Sequence, residues 1–377
     1  MKKKIVIFCT VPDTFNLILQ GQPKYLSRFY EIHLVTSPNL GYEEISMREG
    51  VTVHPLKMNR GINLPGDFFS IIRAFFLIRK VRPDIIQSYT PKAGLVAMAA
   101  GFLARTPIRI HTFTGIVFTE KAGLLKKLLI FMDKLICKLA TNIVPESAGV
   151  KEILIKNRIT NKEINLIGYG NVAGVDVNYF SPLDNFSDDN SINISNEHIA
   201  FFRFIFIGRI HKDKGIEELV NSFQNTNQSI LILLGDVDKE SPPSPHIMEK
   251  IQKSDRIYWF GFQADIRKFL AFSNALVLPS YREGFPNVLL QACAMQKPCI
   301  VSDISGCNEV IDSSIGWLVP PKNESHLHAA MQLIMQESPE TLRVKGIAAR
   351  KRVVDRFEKG AHLHRLVNFY SSLVKYQ

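Results

Sequence analysis

Two stretches of the chain set charged side chains where an apolar run gives way to a helical pattern. In FIFIGRIHKDKGIEELV (residues 204–220) the apolar run ends at Gly208, Arg209 follows at once, and Lys214 and Gly215 stand where a helix opens. Two cations and the free backbone N–H groups of a helix start then surround one point, which is a way to hold a diphosphate without a metal ion. In LPSYREGFPNVLLQACAMQKP (residues 278–298) the arrangement recurs, with a helix starting near Asn287. Gly284 permits close approach of a ligand, and Glu283 can accept hydrogen bonds from hydroxyl groups. A plainer role is also open to Glu283, that of complementing the helix dipole.

These residues need elements to position them. KIVIFCT (4–10), YEIHLVTS (30–37), VTVHPL (51–56), DIIQSYT (84–90), RIHTFTG (109–115) and NIVPES (142–147) are short runs rich in β-branched residues, with helical patterns at 68–80, 93–104 and 124–140. Strand alternating with helix predicts a parallel, doubly wound α/β sheet. A second series follows: strands at 202–210, 229–236, 256–262, 275–280 and 298–303, with helices at 216–224, 265–273 and 288–296. Between the series lies SPLDNFSDDNSINISNEH (181–198), polar and without periodicity, which marks a domain junction. The expected domains are therefore 1–185 and 200–355, and the chain from Glu340 onward is helical in pattern, with Val353, Phe357, Leu363, Leu366, Phe369 and Leu373 mostly three or four apart.

The order GRIHKDKG, GFQADIRKFLAFSNALVLPS, REGFPNVLLQACAMQKPCIVSD and GCNEVIDSSIGWLVPP resembles the donor-binding domain of the family 4 retaining glycosyltransferases. YTPKAGLVAMAAG, RIHTFTG and GYGNVAGVDVNYFSP are similar to the acceptor domain of that family's bacterial capsule, exopolysaccharide and O-antigen members. The resemblance implies the GT-B fold, two Rossmann-like domains facing each other across a cleft, with residues 356–377 as a helix packing back on the first domain. It implies that Arg209, Lys214 and Gly215 bind the donor diphosphate and that Gly261 and Phe262 lie near the nucleobase. Glu283 matches the first acid of the family's E-x7-E motif, near the donor sugar. Gly284, Phe285, Pro286 and Asn287 would contact sugar and phosphates. His111 matches an acceptor-domain histidine that faces the reacting sugar, while Arg60 and Gly115 would lie on the acceptor side of the cleft.

Gln291 departs from the pattern, since the family usually has a second Glu there on the ribose hydroxyls. An amide oxygen still accepts one such bond but without the charge-assisted strength, so a weaker hold on ribose is expected rather than loss of chemistry. Ala173, before Gly-Val-Asp, is a lesser departure from the usual Asn. The implied reaction moves a hexose from a nucleotide-diphosphate donor, with UDP expected, to a polyprenyl-diphosphate-linked glycan in cell-surface polysaccharide biosynthesis. With no obvious nucleophile pair, same-face attack is expected, the leaving phosphate taking the acceptor's proton and Glu283 orienting the sugar. Two alternatives remain at this point: a GT-B nucleotide-sugar epimerase, or a catalytically silent sugar-nucleotide-binding subunit.

Other signals are weaker. Asp236-Val237-Asp238 has the D-x-D spacing of a metal-diphosphate site but follows a strand directly, and no cofactor or essential metal is expected. The pairs His326/His328 and His362/His364 sit two apart in helical patterns and point in different directions. GYGNVAG (168–174) lacks the helix and the acid that a dinucleotide site needs and reads as a turn lining the cleft.

The 377 residues are 46% hydrophobic, enough for two large cores, and the net charge is +11. Residues 1–180 hold 24 Lys and Arg against 13 Asp and Glu, whereas residues 181–377 hold 22 of each, so the excess belongs to the first half. Such a field suits anionic lipid head groups, and no nucleic-acid module is legible. The helix at 123–140 has Leu124, Leu128, Phe131, Met132, Leu135, Ile136 and Leu139 on one side, with Lys126, Lys127, Lys134 and Lys138 mainly elsewhere. It reads either as a core-packed helix or as one resting on the inner leaflet of the plasma membrane. The aromatics of 68–82 could assist. Five cysteines without a C-x-x-C pair suit a reducing compartment, and no run reaches the roughly 18 apolar residues of a membrane span. A cytoplasmic protein, peripheral to the membrane, is expected.

Overall fold

The computed structural model describes residues 2–59, 61, 63–182, 192–239 and 241–375. Two compact units emerge, one of residues 1–174 with 359–377 and the other of residues 175–358.

The first unit is built on a six-stranded sheet of β1 (Lys4–Phe8), β2 (Glu31–Thr36), β3 (Thr52–Pro55), β4 (Ile85–Tyr89), β5 (Ile108–Phe113) and β6 (Asn142–Pro145). Every pairing is parallel and the order is β3-β2-β1-β4-β5-β6. The continuous apolar run of β1 is explained by burial on both faces: Ile5 and Ile7 enter one core cluster, Val6 and Phe8 the other. Helices Leu64–Val81, Pro91–Leu103 and Gly123–Leu139 cover one face. Helix Lys359–Lys375 closes the other, where buried Tyr370 donates its hydroxyl to Gln87 Oε1 at 3.1 Å.

The second unit repeats the plan with β7 (Phe202–Ile207), β8 (Ser229–Leu234), β9 (Ile257–Trp259), β10 (Ala275–Leu278), β11 (Cys299–Ser302) and β12 (Gly316–Val319). Its order is β12-β11-β10-β7-β8-β9, again parallel throughout, which is the first unit's order with its strands renumbered. In each sheet the order reverses between the first and fourth strand, β1 with β4 and β7 with β10. The loops leaving the carboxyl ends of those strands border the crevice that a doubly wound sheet offers a ligand.

The units divide at Gly174 and Val175, where the Val175 N–H bonds to Phe357 O at 2.8 Å. That lies ahead of the polar stretch expected as the junction, of which residues 183–191 fall outside the described residues. The helix Gly123–Leu139 also differs from its apolar stripe: its buried residues are Asp133, Ile136 and Cys137, while Leu124, Leu128 and Phe131 are exposed. The face turned to the core is thus centred on Asp133 and Cys137, to one side of the expected stripe, of which only Ile136 is fully buried. Among the described residues no helix is long and apolar enough to cross a membrane.

Candidate functional site

The site in the second unit grows from the two loops at its strand-order reversal. After β7, Gly208 leads to Arg209 and a 3-10 turn at Lys212–Lys214, and Gly215 caps the helix Ile216–Gln224. After β10, Pro279 to Pro286 lead into the helix Asn287–Ala294. No side chain caps the first turn of either helix.

Side chains and backbone tie the two loops together. Tyr281 N–H donates to Asp213 O at 2.8 Å, Arg282 pairs with the Asp213 carboxylate at 3.0 Å, and Tyr281 Oη donates to Glu218 Oε1 at 2.5 Å. Burial first, and then Glu218, push the Tyr281 hydroxyl well above its ordinary value, so it stays a donor. Gly215 has φ +67°, and a Cβ there would lie 2.1 Å from Pro279 O, so only glycine allows the loops to meet this closely.

At the centre, Lys214 Nζ bonds to Glu283 Oε1 at 2.5 Å, and Ser280 Oγ donates to the same oxygen at 2.7 Å. The Glu283 side chain is 11% exposed, and among the described residues nothing bonds its Oε2. A fixed carboxylate with one oxygen left to accept is suited to a polyol. Gln291 lies one turn beyond Asn287 on the same helix and is half-buried.

Arg209 pairs with Asp238, so the second acid of the D-x-D spacing serves as its partner. Asp236 Oδ1 accepts from Phe262 N–H at 3.0 Å and shapes the loop of Gly261 and Phe262, whose ring is 55% exposed. Both acids are thus engaged within the protein, and among the described residues no group of three or more His, Cys, Asp or Glu is placed to hold a metal ion. His211 accepts from Asp213 N–H at 2.9 Å through Nδ1, and burial lowers its pKa.

The first unit treats its candidates differently. His111 lies on β5 with 0% exposure, its Nδ1 2.9 Å from Ser88 Oγ and its ring edge-on to Phe113. Helix Pro91–Leu103 seals it in: a Cβ at Gly94 would stand 2.4 Å from His111 Cε1. Burial pushes its pKa down to about 3, so the ring is neutral at physiological pH. The structure therefore places His111 inside the packing and not on an open wall, against the expectation that it faces a sugar. Gly115, with φ +89°, follows β5 at its carboxyl end. Arg60 lies outside the described residues. At the order reversal of this unit, Thr10 Oγ1 and Thr90 Oγ1 lie 2.6 Å apart, and GYGNVAG is a run of turns in which Asn171 Oδ1 accepts from Ala173 and Gly174 N–H.

Sequence reasoning missed Asp213, Ser280 and Asp133. Asp213 could have been found as the acid between two lysines in the anion-binding loop, and Asp133 as the lone acid of its helix. Ser280 left no signal, since it matters only through a neighbour three residues on.

Comparison with known proteins bears on the family and the fold. The family model described as glycosyl transferases group 1 matches residues 189–352, and the glycosyl transferase 4-like domain matches residues 24–170. The capsular polysaccharide biosynthesis glycosyltransferase CapM of Staphylococcus aureus is 27% identical over 99% of this chain and 98% of its own. The UDP-Gal:alpha-D-GlcNAc-diphosphoundecaprenol alpha-1,3-galactosyltransferase of Escherichia coli is 25% identical over 84% of this chain and 82% of its own. Among solved structures, sucrose-phosphate synthase from Thermosynechococcus elongatus matches with a TM-score of 0.81 at 19% identity, covering 100% of both chains, a likeness of fold.

Proposed function

We propose that this chain, which belongs to the glycosyl transferases as a 4-like domain followed by a group 1 domain in the GT-B fold, moves a hexose with retention from a UDP-sugar to a polyprenyl-diphosphate-linked glycan. Such a step belongs to the biosynthesis of capsule or related cell-surface polysaccharide, the role named for its relative CapM. The lipid-linked acceptor is the class named for the Escherichia coli relative.

The observation that carries this reading is the Lys214–Glu283 link where the second sheet's strand order reverses. The donor diphosphate would lie against Arg209, Lys214 and the first N–H groups of the helix Ile216–Gln224. Phe262 would stack on the base, and Gln291 would accept from ribose. As the bond from the sugar C1 to the diphosphate oxygen breaks, negative charge grows on the leaving phosphate, and fixed cations there lower the barrier. The acceptor hydroxyl oxygen bonds C1 from the same face and its proton passes to the leaving phosphate. Glu283 Oε2 would hold a sugar hydroxyl and keep C1 in line. No step requires a metal ion.

The first unit's exposed Phe68, Phe69, Phe76, Leu124 and Phe131, interleaved with Arg73, Lys127 and Lys134, would rest on the anionic inner face of the plasma membrane where the lipid acceptor resides. Incubation with a panel of UDP-sugars, with and without a polyprenyl-diphosphate glycan, tests the reading by mass spectrometry and anomeric NMR. Transfer with retained configuration, only when lipid is present, is expected. Isomerised donor without acceptor, or no reaction, would overturn it.

A further inference from the structure

Asp133 is the lone acid in the helix Gly123–Leu139 and faces inward, 8% exposed. Among the described residues no hydrogen bond or ion pair reaches its carboxylate, and burial pushes its pKa up to about 7. It borders a cavity of about 100 Å³ whose walls are Leu95, Phe113, Leu129, Met132 and Ile136. The other charged group there, Lys92, is held by Asp67 Oδ2 at 2.5 Å, both side chains nearly buried, so its charge is already matched. Pro91 and Gly115, which also line it, follow β4 and β5, so the cavity lies beside the carboxyl ends of those strands, where doubly wound sheets take ligands.

The chemistry narrows the occupant. A phosphate would find no unmatched cation there, and a bare hydrocarbon would leave the oxygens of the Asp133 carboxyl without a partner. What fits is a small neutral group with an N–H or O–H at one end and apolar atoms at the other. Size agrees with this: an enclosed apolar cavity of roughly 150 Å³ takes one six-membered carbon ring, and a space of about 100 Å³ suits a substituent of a sugar. An acetamido group has four heavy atoms, one N–H and a methyl.

Resting on the lipid-linked-glycan reading above, we propose that this cavity receives the N-acetyl group of the acceptor sugar, with Asp133 accepting its amide N–H and Leu95, Leu129 and Met132 packing its methyl. The acceptor is then a 2-acetamido sugar on the polyprenyl diphosphate, and Asp133 is a specificity-determining residue. Discrimination follows because a site built to bond an amide N–H rejects the analogue that lacks it.

The test uses two short-chain polyprenyl diphosphates, one bearing N-acetylglucosamine and one bearing glucose, with the full-length enzyme and its UDP-sugar. Wild type should favour the acetamido acceptor at least tenfold in kcat/KM. Asp133→Leu should bring the ratio to within about twofold, chiefly through acceptor KM, with UDP affinity by calorimetry unchanged. Asp133→Asn, whose amide oxygen still accepts, should keep most of the preference. Leu129→Phe, which fills the cavity, should lose the acetamido substrate and spare the glucose one. Equal use of the two lipids by wild type, or a preference that survives both Asp133→Leu and Leu129→Phe, overturns the inference and leaves the transferase reading standing. Transfer to neither lipid overturns that reading and the inference with it.

Discussion

At Glu283 one carboxylate oxygen takes both hydrogen bonds that the described residues supply, from Lys214 and Ser280, and the other is left to accept. Glu283→Ala should therefore lower kcat/KM by at least about a hundredfold. Thermal unfolding should be little changed, and activity within threefold of wild type would remove its role. Asp133 has a signature of its own. The native carboxyl keeps its proton up to about pH 7, while the unfolded one loses it near the ordinary value of 3.8. Native protein binds more protons between those values, so this group's contribution to stability is present below about pH 3.8 and is lost as pH rises towards 7. Asp133→Asn has no such proton to lose and should gain on the order of 2 kcal/mol over wild type at pH 8, with less gain at pH 5. Urea midpoints at the two values check this, and a gain independent of pH would contradict it.

At the scale of elements, the site depends on two loops meeting. Gly215→Ala forces a Cβ toward Pro279 O at a left-handed φ, and should cost about 1–3 kcal/mol and weaken UDP binding together. Chemical denaturation and calorimetry measure both, and a variant matching wild type in each would deny that the loops are clamped there. Strands such as β1 and β8 were legible because burial on both faces demands an unbroken apolar run. β12, only Gly316–Val319, was not, since four residues with half-exposed Trp317 and exposed Leu318 leave little pattern. Helix Tyr42–Glu49 was missed for a similar reason: of its eight residues only Ile45 and Glu49 are buried. Loop positions such as Arg209, Lys214 and Glu283 were legible because charge at a strand-to-helix turn is a local feature. The inward turn of Asp133 was not, because which arc of a broadly apolar helix is covered depends on neighbours far along the chain.

Across the whole molecule, the two units repeat one strand order but differ in charge. The basic excess lies in residues 1–180, and the exposed aromatics of Leu64–Val81 and Gly123–Leu139 lie there too. Sedimentation with vesicles containing anionic lipid should therefore occur at low salt, weaken as salt rises, and fall when Lys126, Lys127, Lys134 and Lys138 are neutralised together. Binding indifferent to salt and to those substitutions would count against the membrane-facing role. The central claim, that a diphosphate seat in the second unit orients a hexose beside Glu283, is tested most directly by a crystal structure with an intact UDP-sugar. The account predicts the diphosphate on Arg209, Lys214 and the start of Ile216–Gln224, with Glu283 Oε2 on a sugar hydroxyl. A diphosphate bound elsewhere, or a hexose out of reach of Glu283, would contradict it.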